Sequence, residues 1–90
     1  PNAFTPDGDN VNDTWMPILQ GADPEEYEVF IFNRWGEIVW SSETLNTPWD
    51  GLDQSTGLIV KTDVYAWRIK AKDIMLGEKH EFKGHVTVVK

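Results

Sequence analysis

The chain has no cysteine. Disulfide staples, thiol nucleophiles and zinc sites built on thiolates are therefore excluded. It is also poor in positive charge: eight Lys and Arg stand against fifteen Asp and Glu, a formal charge of −7. Such a chain repels phosphates, which makes nucleic acid and anionic membrane poor partners. No apolar run reaches the roughly 18 residues that a membrane-crossing helix needs. A sustained helical period is missing, as are a Gly-rich phosphate loop and a serine in a nucleophile-elbow context. The first residue is Pro1, not Met. The expectation is a fragment of a larger protein, with any export signal upstream.

What is present is aromatic. Ninety residues make one domain, and the chain holds five Trp, four Phe and two Tyr. A domain this small hides only about 60–65% of the surface its unfolded chain exposes. Large side chains must then supply the core, at about 150–250 Å² each. Five tryptophans also invite a sugar-stacking surface. Trp35 and Trp49 stand beside turn glycines, however, and Trp67 lies on an apolar strand face. Those three are expected in the core, which leaves Trp15 and Trp40 as the candidates for sugar.

The patterning predicts strands. Ala3-Phe4 ends a first strand, and Thr5 to Thr14 is a polar loop dense in turn formers. Trp15 to Leu19 reads as a short extended segment, confined to an edge by Pro17. After a turn at Gly21–Glu26, the segment Tyr27 to Asn33 is apolar on both faces. It reverses through Arg34-Trp35-Gly36-Glu37 into Ile38-Val39-Trp40, which predicts a hairpin. Residues 41–62 are loop-rich. Within them Trp49-Asp50-Gly51 reads as an anchored turn, with Gly51 at positive φ. Val64 to Lys72 alternates apolar and polar, the mark of a half-buried antiparallel strand. Residues 79–90 form the last strand, where Gly84 suggests a bulge. Taken together, these predict an all-β fold: an immunoglobulin-like antiparallel two-sheet sandwich of about seven strands.

Three constellations could carry chemistry. Asp7, Asp9 and Asp13, with Asn10 and Asn12 between them, make a D-x-D-x-x-x-D loop. Calcium takes six to eight oxygens from such loops. The loop lacks the glycine and distal glutamate of an EF-hand, and an Asx-rich turn capping its own backbone accounts for it equally well. His80 and His85 lie five apart in one strand and so on opposite faces, the wrong arrangement for a shared metal unless a bulge at Gly84 comes between them. The carboxylates read as a solvated surface. No residue set points to an enzyme.

The motifs, taken in order, resemble a family. Pro1-Asn2-Ala3-Phe4-Thr5-Pro6-Asp7-Gly8-Asp9-Asn10-Val11-Asn12-Asp13 is similar to the PNAFTPNGDGVND signature of the gliding-motility-associated C-terminal domain. That domain is the type B sorting domain of type IX secretion. The likeness continues through Phe32-Asn33-Arg34-Trp35-Gly36, Trp49-Asp50-Gly51, Asp63-Val64-Tyr65 and Gly84-His85-Val86-Thr87. Asp7, Asn10, Asp63 and Lys90 depart from the usual Asn, Gly, Gly and Arg.

The resemblance implies a C-terminal module of secreted or surface proteins, often adhesins, of gliding Bacteroidota. It would direct an N-terminal cargo, after export to the periplasm, through translocon proteins of the outer membrane to the surface or medium. The shared residues Trp35, Gly36, Trp49, Asp50, Gly51 and Tyr65 are expected to build the fold. The last strand, with Lys83, His85 and Lys90, and the acidic loop are expected to form the recognition surface. The alternative is an extracellular structural or adhesive module, calcium-stabilised through Asp7, Asp9 and Asp13, that carries no address.

Overall fold

The computed structural model describes residues 3–6, 14–17, 19 and 21–89. Among them are five strands and no helix: β1 (Ala3–Phe4), β2 (Ala22–Phe32), β3 (Ile38–Ser42), β4 (Asp63–Asp73) and β5 (Lys79–Val88). They form one sheet in the order β1-β5-β4-β2-β3. All neighbours are antiparallel except β1, which runs parallel to β5 at Ala3↔Thr87 and Phe4↔Val88.

Alternation places the core on one face of this sheet. Tyr27, Val29 and Ile31 of β2 lie beside Ala71, Ile69 and Trp67 of β4. Tyr65 of β4 lies opposite Val86 of β5. Apart from the partly buried Trp67, these side chains are buried. The other face carries Phe30 and Phe32, half-buried, then Arg68, Lys70, Lys83 and His85, exposed. Bulges re-aim the chain at two points, both along β2. Ile31 opposes Trp40 while Phe32 opposes Ile38, so Val39 is an extra residue. The bulge turns two consecutive side chains, Val39 and Trp40, into the core. At the other end, Ala22 opposes Asp73 and Tyr27 opposes Ala71, so Asp23 to Glu26 loop out. Pro24 has no N–H to lose there.

Among the described residues there is one sheet, and the expected second sheet is not seen. Among the described residues, the core face is covered by irregular chain carrying Trp15, Leu19, Leu45, Trp49 and Val60. Its only strand-like pairings are the isolated bridges Trp15↔Trp49 and Leu52↔Ile59. Residues 41–62 are too rich in Ser, Thr, Asn, Pro, Asp and Gly to sustain a ladder. They cover the sheet as an anchored loop, and the described residues hold five strands where about seven were expected.

Gly84 marks no bulge. The β4–β5 register runs unbroken from Asp63↔Val88 to Lys72↔Lys79, with Gly84 opposite Trp67. A Cβ on Gly84 would lie 2.3 Å from Trp67 Cζ2. The glycine is there so that the indole can lie flat across the neighbouring strand.

Candidate recognition surface

The Trp49-Asp50-Gly51 turn is the anchor of the covering loop. Trp49 is fully buried, edge-on to Phe4 at 5.3 Å and to Tyr65 at 5.6 Å between ring centroids. Its indole N–H donates to the Leu52 carbonyl at 3.0 Å, and its backbone exchanges two hydrogen bonds with Trp15. The Asp50 carboxylate accepts from the Leu52 N–H. Gly51 holds φ +85, and a Cβ there would sit 3.0 Å from Pro6 Cγ. The Tyr65 hydroxyl donates to the Lys61 carbonyl at 2.8 Å. This is the device of a tyrosine corner, which fixes how a connecting segment enters a strand. Burial pushes the Tyr65 phenol above its ordinary pKa.

Trp35 is a correction. It was expected in the core, but it is 73% exposed. The turn that carries it is rigid for local reasons. The Asn33 side-chain oxygen accepts from the N–H groups of Trp35 and Glu37, both at 3.0 Å. The Gly36 N–H donates to the Asn33 carbonyl, and Gly36 takes φ +81. Arg34 forks onto Asp63 through Nε and Nη2, each at 2.8 Å, and lies 5.7 Å from the Trp35 ring centroid. The hydrogen bond from Arg34 lowers the Asp63 carboxyl below its ordinary pKa, and the same bond raises Arg34. The turn projects Trp35 off the end of the β2–β3 hairpin, away from the core cluster. Trp15 and Trp40, the tryptophans left for sugar, are 3% and 7% exposed and present no stacking face.

The two edges of the sheet differ. On β3, the Gln54 N–H donates to the Val39 carbonyl at 2.8 Å. The Gln54 side chain then exchanges two bonds with the Ser41 backbone, at 3.1 and 2.9 Å. One glutamine thus satisfies the Val39 carbonyl and both backbone groups of Ser41. Nothing in the sequence ties Gln54 to a strand thirteen residues away, so this was not foreseen. On β5, only Thr87 and Val88 pair with β1. Residues 79–86 have no strand partner on that side among the described residues.

Lys83 and His85 lie exposed on β5. Lys83 is opposite Arg68 and His85 opposite Ala66. His80 is opposite Ala71, on the other face. Glu81 sits 3.3 Å from Arg68 Nε and 3.8 Å from Lys83 Nζ. Asp7, Asp9, Asp13 and Lys90 lie outside the described residues. Among the described residues, no group of three metal-ligating side chains converges, and no helix is long and apolar enough to cross a membrane.

A family model described as the CHU_C type IX secretion signal domain matches residues 1–88. The chain belongs to that family. The match takes in all the motifs quoted above and bears out their resemblance to the type IX C-terminal sorting domain. No curated protein matches the chain significantly, and no solved structure does. As a type IX secretion signal domain, the chain has a C-terminal sorting role, and its family implies export to the cell surface or medium.

Proposed function

We propose that residues 1–90 are a folded address that directs an attached N-terminal cargo through the outer-membrane type IX translocon. The observation that carries this reading is the family match over residues 1–88. The partners are translocon proteins on one side and the cargo of the same chain on the other. In this reading the module binds its partners and carries out no catalysis. Trp49, Asp50, Gly51 and Tyr65 serve by building the scaffold, and Trp35 and Gly36 by forming a rigid, exposed turn. The recognition surface is the exposed side of the last strand, with Lys83, His85 and the following Lys90.

A folded address has a physical advantage over a linear one. A sheet holds side chains and backbone groups at fixed spacing, so a receptor loses less entropy in ordering them. Supporting this are the tied-down elements of the surface: the Asn33 turn, the Arg34–Asp63 fork and the unbroken β4–β5 ladder.

The test is export of a reporter. Residues 1–90 are fused to the C-terminus of a fluorescent protein already exported to the periplasm, in a bacterium with and without a working type IX translocon. Translocon-dependent arrival at the surface or in the medium is expected. A reporter that stays in the periplasm of both strains would overturn the reading in favour of a structural or adhesive module without an address.

A further inference from the structure

Among the described residues, the outer edge of β5 has no strand partner over residues 79–86, and its chemistry specifies what would pair with it. The orientation of its backbone follows from β1. The Val89 N–H donates to the Phe4 carbonyl at 3.0 Å, so odd-numbered residues aim their backbone groups away from β4. The β4–β5 register has no break, so that parity holds back along the strand. The N–H and C=O of Glu81, Lys83 and His85 therefore point outward with no strand to receive them among the described residues.

Charge is segregated around this edge. Five of the eight cations in a chain of net charge −7 fall between Arg68 and Lys83. On the outer face of the β4–β5 ladder, Lys72 stands opposite Lys79 and Arg68 opposite Lys83. Like charges directly opposed across a ladder are destabilising. Glu81 lies between the two pairs and reaches only Arg68 and Lys83. Glu28, opposite Lys70, is the nearest acid on β2, and no ion pair joins the two. The other face of the edge carries Phe82, 43% exposed, beside His80 at 6.3 Å between rings. The surface is thus cationic on one side of the strand and apolar on the other.

We propose that the β5 edge over residues 79–86 receives an extended segment of a partner protein, alternating acidic and apolar side chains, as an added strand. Its backbone would complete the ladder at Glu81, Lys83 and His85. Its acidic side chains would face Lys79 and Lys83, and its apolar ones would cover Phe82. A peptide backbone presents donors and acceptors alternately at the repeat of the open edge, which favours a protein strand over a lipid or nucleic-acid surface. A second copy of this chain would bring a second cationic ladder alongside the first and is disfavoured for that reason. The partner's place in secretion rests on the sorting reading above; the docking chemistry does not.

The experiment is selection of ten-residue peptides from a randomised display library on the 90-residue chain. Binding of the enriched peptides is then measured by fluorescence anisotropy. The expected winners alternate acidic and apolar residues. Lys83→Pro removes one outward N–H without touching a bond to β4, and should weaken them at least tenfold with an unchanged circular dichroism spectrum. The double variant Lys79→Glu with Lys83→Glu keeps every backbone donor and should weaken them as much, which covers the case in which the proline variant misfolds. Winners without acidic alternation, or unaffected by both variants, would overturn the proposal. So would a dimer in sedimentation that Lys83→Pro dissolves, or binding to phosphatidylglycerol vesicles that depends on the same lysines. If the peptides bind as expected while the unaltered reporter stays in the periplasm, the sorting reading fails and the docking edge stands.

Discussion

Trp35 and Trp49 have the same local setting and opposite fates. Each precedes a turn glycine at positive φ, Gly36 at +81 and Gly51 at +85. Trp49 is wholly buried and Trp35 is 73% exposed. The difference lies in where the turn is attached. Trp49 is in a loop that crosses the core face and is stitched to Trp15 by two backbone hydrogen bonds. Trp35 is at the tip of a hairpin that runs past the end of the core. A large ring next to a glycine identifies a tight turn; it does not say which side of the molecule the turn faces. One tryptophan therefore holds the fold together, and the other is presented on a stiff mount to whatever meets that end of the sheet.

Mutating the pair should break the symmetry outright. Trp49→Ala empties the centre of the core and should cost about 3–5 kcal/mol in denaturant unfolding. Trp35→Ala should stay within about 0.5 kcal/mol, as exposed positions do. A third aromatic–glycine contact sharpens the comparison. Gly84→Ala drives a methyl into the Trp67 indole and should cost about 1–3 kcal/mol, read as a drop in melting temperature. The turn glycines come next. Alanine at either positive φ costs about 1–2 kcal/mol for the backbone alone. Gly51→Ala should exceed Gly36→Ala, because its methyl also meets Pro6 at 3.0 Å while the space around Gly36 is open. Equal losses at the two glycines would mean that the Pro6 contact carries no weight.

The smallest effect concerns the mount of Trp35. The Arg34 hydrogen bond holds the Asp63 carboxyl below its ordinary value of 3.8. A group whose folded pKa is depressed contributes stability above its unfolded pKa, and loses it as pH falls through the folded value. The contribution of Asp63 is therefore full at neutral pH, begins to fade near pH 4 and is gone at more acidic pH. Asp63→Asn should flatten that part of the curve of melting temperature against pH and leave the neutral side parallel to the parent. Arg34 is exposed and Asp63 only half-buried, so solvent screens the pair and the change is small.

Much of the sheet was legible in the sequence. Alternation gave β4, the apolar run gave β2, and Arg34 to Glu37 gave the reversal into β3, because these depend on neighbours in the chain. What was not legible depends on distant contacts. The second sheet was inferred from turn spacing, yet residues 41–62 cover the core through the burial of Leu45, Trp49 and Val60 and two isolated bridges. Gly84 looked like a bulge because a glycine in a strand often is one; here it answers to Trp67 on the next strand. The start of β2 at Ala22, five residues before Tyr27, was hidden by the loop-out of Asp23 to Glu26. Of the residues proposed for recognition, Lys83 and His85 were placed on the last strand from the sequence. That their edge is open while the β3 edge is closed by Gln54 appears only in three dimensions. Asp63, where the family pattern has glycine, could be seen as a departure in the sequence, but its role as the clamp of Arg34 could not.

On the proposed reading, the address is the folded surface and not the string of motif residues. The measurement that tests it most directly is export of the reporter fused to the Trp49→Ala domain, with the folded fraction of the same fusion determined in parallel by limited proteolysis. Trp49 is a motif residue with no exposed surface, so it can act on a receptor only through the fold. The prediction is that export falls in proportion to the folded fraction and returns at lower temperature as the fold returns. Export at the parent level from a domain that is mostly unfolded would contradict the account and show that the translocon reads a linear sequence.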